Sequence, residues 1–138
     1  MASIFARIVA GEIPAIKVYE DDETLAFMDI NPATPGHTLV VLKQELPGLL
    51  DLPPELLVKI MLTTQRVARA IVATLKPHGF NIIQNNGRAA GQTVFHYHIH
   101  IIPRWDNDNA LPLWEPNKPD REVLLSMAAA ISAAIAEE

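Results

Sequence analysis

The sequence predicts an α+β domain: a largely antiparallel sheet of five short strands, one long central helix, and a further helix towards each end. Three observations carry that expectation. Short apolar stretches are separated by clusters of Pro, Gly, Asp and Asn, as hairpins and loops require. One long stretch, Asp51 to Leu75, repeats apolar residues at helical spacing. The segment Phe95-His96-Tyr97-His98-Ile99-His100-Ile101-Ile102-Pro103 alternates imidazoles with apolar residues at the period of a strand.

Taken in chain order, Ser3 to Ala10 reads as a short helix in which Ile4, Phe5, Ile8 and Val9 share a face, with Ser3 as N-cap and Gly11 as stop. Ile16 to Glu20 and Thr24 to Ile30 read as a hairpin around Asp21-Asp22-Glu23, and Asn31 to Gly36 as a loop. His37 opens a third strand, Thr38 to Lys43, whose unbroken apolar run predicts burial on both faces. In the long helix, Leu56, Leu57, Ile60, Met61, Val67, Ala68, Ile71, Val72 and Leu75 form the expected core stripe, opposite Lys59, Arg66 and Arg69. Asp51 is its expected cap, with Pro77 and Gly79 beyond its end. Phe80 to Gln84 and the histidine segment supply the fourth and fifth strands. Trp105 to Pro119 reads as a loop packed down by Trp105 and Trp114, and Asp120 to Ala136 as a last helix with Val123, Leu124, Met127, Ile131 and Ile135 on one stripe. With no repeat or linker, residues 1–138 are expected to form one domain.

Composition narrows the function. A net charge of −5 supplies no basic stripe to displace counterions from nucleic acid. No apolar run approaches the roughly 20 residues that span a bilayer, and Met1 to Arg7 lacks the basic and apolar regions of a secretory signal. The absence of cysteine excludes disulfides and thiolate ligands and fits a cytoplasmic protein.

The histidine segment is the expected site. Period two places His96, His98 and His100 on one face of a strand and Tyr97, Ile99 and Ile101 on the other, and His37 is expected nearby. A metal reading stays open: imidazoles two apart start about 6.6 Å apart, while the outer pair starts about 13 Å apart, so an ion would take two of them plus His37, Asp29 or another carboxylate. The alternative is imidazole chemistry, with one ring as nucleophile and the others setting its tautomer and managing the leaving group's proton. The preceding loop, Asn85 to Thr93, contains Gly87 and Gly91 and can aim backbone N–H groups at an anion. Together these suit a phosphoryl ester, anhydride or amide.

The run Gly91 to Ile102, three histidines alternating with hydrophobic residues, resembles the signature of the histidine triad (HIT) superfamily. Ile4-Phe5, Gly11 to Ala15, Tyr19 to Asp22, Ala26 to Ile30, Pro35 to Val40 and Asn85 follow in the order of its Hint-like branch, so the resemblance spans roughly residues 3–104, with 105–138 as an extension. It implies a homodimer with a five-stranded antiparallel sheet in each subunit, no cofactor and no metal. The implied activity is hydrolysis of purine nucleoside phosphoramidates, or alternatively of dinucleoside polyphosphates; a nucleotide-binding module is the non-enzymatic alternative. By resemblance, His98 attacks the α-phosphorus, His100 contacts the phosphate and helps protonate the leaving group, and His96 and His37 support the nucleophile. Asp29 would hold the ribose hydroxyls, Ile30, Ile8 and Ile13 would line the base pocket, and Asn85, Gly91, Gln92 and Thr93 would form the phosphate side. One departure is plain: many bacterial relatives carry a zinc-binding Cys-x-x-Cys where this chain has Ser3 and Ala6, so no such zinc site is expected.

Overall fold

A computed structural model describes residues 2–138. Its elements run α1 (Ile4–Val9), β1 (Lys17–Glu20), β2 (Thr24–Met28), β3 (Thr38–Leu42), α2 (Pro54–Leu75), β4 (Gly79–Ile83), β5 (His98–Arg104) and α3 (Arg121–Ala136), with single 3-10 turns at Leu49–Asp51 and Arg88–Ala90. The five strands form one sheet in the order β1-β2-β3-β5-β4, and each neighbouring pair is antiparallel. Thus β2, β3 and β5 lie inside the sheet, and β1 and β4 are its edges. No helix among the described residues is long and apolar enough to cross a membrane.

The sheet has two unlike faces. On one, Ala26, Val40, Leu42, Ile99 and Ile101 pack with Tyr97 against Leu56, Ile60, Val67, Ala68 and Ile71 of α2. On the other, Leu25, Phe27, Leu39 and Val41 pack against Phe5 and Ile8 of α1. Successive residues of β2, β3 and β5 therefore serve opposite faces, as the pleat dictates. β5 pairs with β3 in the register Val41↔His98, Val40↔Ile99, Leu39↔His100. That register sets His98 and His100 beside Leu39 and Val41, on the α1 side.

Several local expectations need correction. Asp51 does not cap α2; its Oδ2 accepts the Gly48 N–H at 3.1 Å within the preceding turn, and α2 begins with Pro53 as N-cap and Pro54 after it. The helix ends at Lys76, a left-handed residue with φ 51° whose N–H returns to the Val72 carbonyl, and Pro77 then prevents continuation. The α2 core face is also rotated from the expected stripe. Thr63 and Thr64 are buried, while Met61 and Val72 are exposed. The threonines are tolerated because Thr63 Oγ1 meets Thr24 Oγ1 at 2.9 Å and Thr64 Oγ1 donates to the Ile60 carbonyl at 2.8 Å.

The C-terminal region is helical where expected, and Trp105 is half-buried as expected, but the rest is not packed down. Trp114 is 84% exposed, and the stripe Val123, Leu124, Met127, Ile131 and Ile135 of α3 stays exposed in the protomer. What fixes the start of this region is Arg104. Its guanidinium donates twice to Asp108, at 2.9 and 2.7 Å, and once to Asn81 at 2.9 Å.

Candidate active site

β2 ends at Met28 rather than Ile30, and the chain turns at Asp29, whose Oδ1 accepts the Asn31 N–H at 2.8 Å. β5 starts at His98 rather than Phe95. Just before it, Tyr97 gives its N–H to the Leu46 carbonyl at 2.7 Å, outside the strand ladder. His96 therefore precedes the paired strand: it stays on the α1 side, its ring 6.1 Å from that of Phe5, but it does not line the cleft that His98 and His100 face. It is fully buried, with Nε2 2.5 Å from the Leu42 carbonyl oxygen and Nδ1 2.8 Å from Ser3 Oγ.

Hydrogen-bond partners assign the ring protons, because a carbonyl oxygen only accepts and a backbone N–H only donates. His98 Nδ1 lies 2.7 Å from the His96 carbonyl, so in the neutral ring Nδ1 carries the proton and Nε2 keeps its lone pair. His100 is set the opposite way by a longer chain. The Ala33 N–H donates to His37 Nδ1 at 2.9 Å, which puts the His37 proton on Nε2. That proton goes to His100 Nδ1 at 2.9 Å, with Asp29 Oδ2 3.5 Å from the same His37 nitrogen. His100 Nδ1 accepts, so His100 Nε2 carries hydrogen. Two imidazoles two residues apart, with ring centroids 5.1 Å apart, thus offer one lone pair and one N–H. Both rings line one cleft, and no side-chain nitrogen among the described residues is both buried and without a partner. The two Nε2 atoms accordingly open onto that space.

Electrostatics keep these rings neutral. Burial lowers the pKa of His98, the neighbouring His96 adds to this, and the His96 carbonyl and Asp29 oppose it without reversing it. Burial also lowers His37, against the pull of Asp29. His100 is lowered to about 4, by burial and by its neighbours His98 and His37, with Asp29 opposing.

The cleft has a volume of about 440 Å³. Of the expected site residues, Ile8, Ile13, Asp29, Ile30, Asn85, Gly91, Thr93, His98 and His100 line it. Ile30 stands at the rim, 82% exposed. His37 and His96 stand behind His100 and His98. Gln92 is buried and braces the loop instead of facing the cleft: its Oε1 accepts the Gly87 N–H at 2.8 Å and its Nε2 donates to the carbonyls of Pro47 and Val94. The loop is not an open ring of amides either, since the N–H groups of Ala90, Gly91 and Gln92 bond to carbonyls within it. Its contribution is shape. Gly91, at φ 94°, adopts a backbone that a side chain disfavours, and an added Cβ would come within 3.8 Å of Asn85 Nδ2.

Residues not singled out from the sequence also shape the site. The Phe5 ring meets His98 edge-on at 4.8 Å, and Phe27, Leu39 and Val94 complete the apolar wall. The Ala33 amide sets the His37 tautomer, a main-chain role that no residue type advertises. A larger hollow of about 750 Å³ lies under Trp105–Leu113, away from the triad; of its polar groups, Arg104 is paired with Asp108 and His78 lies 3.3 Å from Asp106.

Asp29, His37 and His100 offer ligand atoms within 4.8 Å of one another, which is the metal reading in concrete form. A cation there would need the His37 Nε2 lone pair, whereas the Ala33 N–H on Nδ1 keeps a proton at Nε2. Binding would require His37 to surrender that proton or that amide bond, so the arrangement suits proton positioning better than coordination.

A lone-pair imidazole next to an N–H imidazole, in a half-apolar cleft with one carboxylate, is equipped for nucleophilic attack on a phosphoryl or acyl centre. The chain belongs to the HIT domain family, whose model matches residues 10–107. It is 39% identical over 119 residues to adenosine 5′-monophosphoramidase hnt1 of Schizosaccharomyces pombe, covering 86% of each chain. It is 42% identical over 105 residues to adenylylsulfatase HINT3 of Arabidopsis thaliana, covering 76% of this chain and 53% of that protein. The crystal structure of a HIT family member from Bacillus subtilis superimposes with a TM-score of 0.89 at 38% identity, over 96% of both chains.

Proposed function

We propose that this HIT-family hydrolase cleaves purine nucleoside 5′-phosphoramidates through a nucleotidyl intermediate on His98. The observation that carries the reading is the bond from His98 Nδ1–H to the His96 carbonyl at 2.7 Å, which leaves Nε2 as a lone-pair nucleophile at the cleft. Nε2 attacks the α-phosphorus, and the P–N bond breaks with its electron pair going to the departing amine, which takes up a proton from His100 Nε2 or from solvent water. His100 Nε2–H donates to the phosphoryl oxygen or to the leaving nitrogen as charge develops. Water then attacks phosphorus and gives up a proton to the group that protonated the amine, the P–Nε2 bond breaks with its electron pair returning to Nε2, and nucleoside monophosphate and neutral His98 are released. Asp29 holds the ribose hydroxyls, while Ile8, Ile13 and the exposed Ile30 sandwich the base. The relatives named for adenosine 5′-monophosphoramidase and adenylylsulfatase activity support an adenylyl-type substrate.

Steady-state rates on adenosine 5′-phosphoramidate test this, with dinucleoside polyphosphates in parallel. Faster cleavage of P–O–P than of P–N bonds would move the assignment to polyphosphate hydrolysis. Tight nucleotide binding with no turnover of either would make the protein a binding module.

The same reading includes a homodimer. β4 is a sheet edge carrying the half-exposed Phe80 and Ile82, which with Met61 and Val72 of α2 line an apolar hollow of about 460 Å³. An open edge beside an apolar helix face is a surface that a second copy covers readily. Light scattering coupled to gel filtration measures the expected mass of two chains.

A further inference from the structure

We infer that Ser3 is a positioning residue for catalysis: its hydroxyl fixes the ring of His96, and through the His96 carbonyl it fixes the tautomer and aim of His98. The inference rests on His98 being the nucleophile and deepens that reading.

Besides accepting the Arg7 N–H at its carbonyl, Ser3 makes three hydrogen bonds. Its N–H donates to Glu45 Oε1 at 2.9 Å, its Oγ accepts the Ala6 N–H at 2.9 Å as the cap of α1, and it lies 2.8 Å from His96 Nδ1. His96 Nε2 faces the Leu42 carbonyl, so in the neutral ring Nε2 holds the proton and Nδ1 needs a donor. Only the hydroxyl proton of Ser3 meets that need. A cap requires just an acceptor; Ser3 uses its acceptor on the helix and its donor on the histidine.

The location of His96 makes this matter. It lies ahead of β5, where neighbouring main chain is held by the Tyr97 N–H to the Leu46 carbonyl and by a long 3.4 Å bond from Leu42 N–H to the Tyr97 carbonyl. The strand ladder does not hold residue 96, and the ring of His96, pinned at both nitrogens, anchors it instead. Its carbonyl is the group that keeps the proton on His98 Nδ1. Ser3 acts on the nucleophile from a second side as well, because the helix it caps carries Phe5, whose edge meets the His98 ring at 4.8 Å. Losing the donor would free the His96 ring to change tautomer or rotate, and would loosen the aim of His98 with no change in the walls that bind the nucleotide. The expected signature is a fall in kcat without a matching change in KM.

Three variants separate positioning from capping. Ser3→Thr keeps both acceptor and donor and is expected to retain wild-type kcat within about twofold. Ser3→Gly remains an acceptable cap but has no donor, and is expected to lose kcat about tenfold at nearly wild-type Tm and KM. Ser3→Ala loses both, and is expected to match Ser3→Gly in kcat while melting lower. The ¹⁵N chemical shifts of the His96 ring provide a readout independent of turnover: a protonated Nε2 and an accepting Nδ1 in the wild type and Ser3→Thr, and a mixed tautomer in Ser3→Gly. Wild-type kcat and an unchanged His96 ring in Ser3→Gly would overturn the inference and leave His98 as nucleophile untouched. Full turnover in His98→Ala would instead remove the catalytic reading itself, whatever the Ser3 variants do.

Discussion

The two faces of β5 are built from alternate residues of one strand, yet they do different work. Ile99 and Ile101 point into the α2 layer and are completely enclosed by other apolar side chains. Their neighbours His98 and His100 point to the α1 side, where packing stops short and a cleft of about 440 Å³ is left open. On the first face the ladder holds apolar mass. On the second, the same ladder holds two imidazoles at a fixed 5.1 Å separation, and backbone groups outside the strand decide their protons. Rigidity comes from one side of the strand and chemistry from the other, and each can be broken separately.

The largest effects should fall on opposite faces. His98→Ala removes the nucleophile and is expected to reduce turnover at least ~10⁴-fold, with the melting temperature nearly unchanged. Ile99→Ala leaves a cavity under the sheet and is expected to cost about 3 kcal/mol in stability by urea titration, while the fraction that stays folded keeps its activity per molecule. A mutant of either face that shows the other's phenotype would contradict the separation. Next in size, Asp29→Asn removes the charge at the cleft wall, and KM for a ribonucleotide substrate is expected to rise about tenfold, with a smaller rise for the 2′,3′-dideoxy analogue. Equal losses on both substrates would mean that Asp29 does not read the ribose.

pH sharpens the contrast. His98 must be neutral to attack, and its pKa lies below the ordinary 6.5, so kcat/KM is expected to hold at neutral pH and to fall only below that value. Stability follows the same sign. The folded pKa of His100 is about 4 against 6.5 for the ordinary group, so between those values the unfolded chain binds more protons, and stability falls as pH drops through the window. His100→Asn should flatten that decline in thermal melts; an unchanged slope would show that the imidazole face contributes nothing to it. The smallest effect concerns the sheet edge. Ile82→Glu on β4 is expected to shift light-scattering mass from two chains towards one, and no shift would place any dimer contact elsewhere.

Much of this architecture is legible in the sequence because strand and helix periods are strong signals. The alternation in the histidine segment correctly places His96, His98 and His100 on the α1 side and Tyr97, Ile99 and Ile101 opposite. Ile8, Ile13, Asp29, Asn85, Gly91 and Thr93 come from four separate parts of the chain and still converge on one cleft. What periodicity cannot carry is main-chain pairing. The strand pairing ends before His96 because the Tyr97 N–H finds the Leu46 carbonyl, and the three tautomers depend on the amide of Ala33 and the carbonyls of Leu42 and His96. Every residue has such groups, so no residue type marks them. Gln92 reads as a ligand group but ties its loop to the Pro47 carbonyl and to Gly87 and Val94, since a buried amide must find partners. Trp114 and the α3 stripe read as packed because they are apolar, yet among the described residues of the protomer they stay exposed.

The most direct test of the account is rapid-quench intact-mass analysis of the enzyme mixed with adenosine 5′-phosphoramidate, followed by peptide mapping. The account predicts a transient adduct of one adenylyl group per chain, acid-labile and located on His98. Turnover with no adduct at any quench time, or an adduct on His96 or His100, would contradict it.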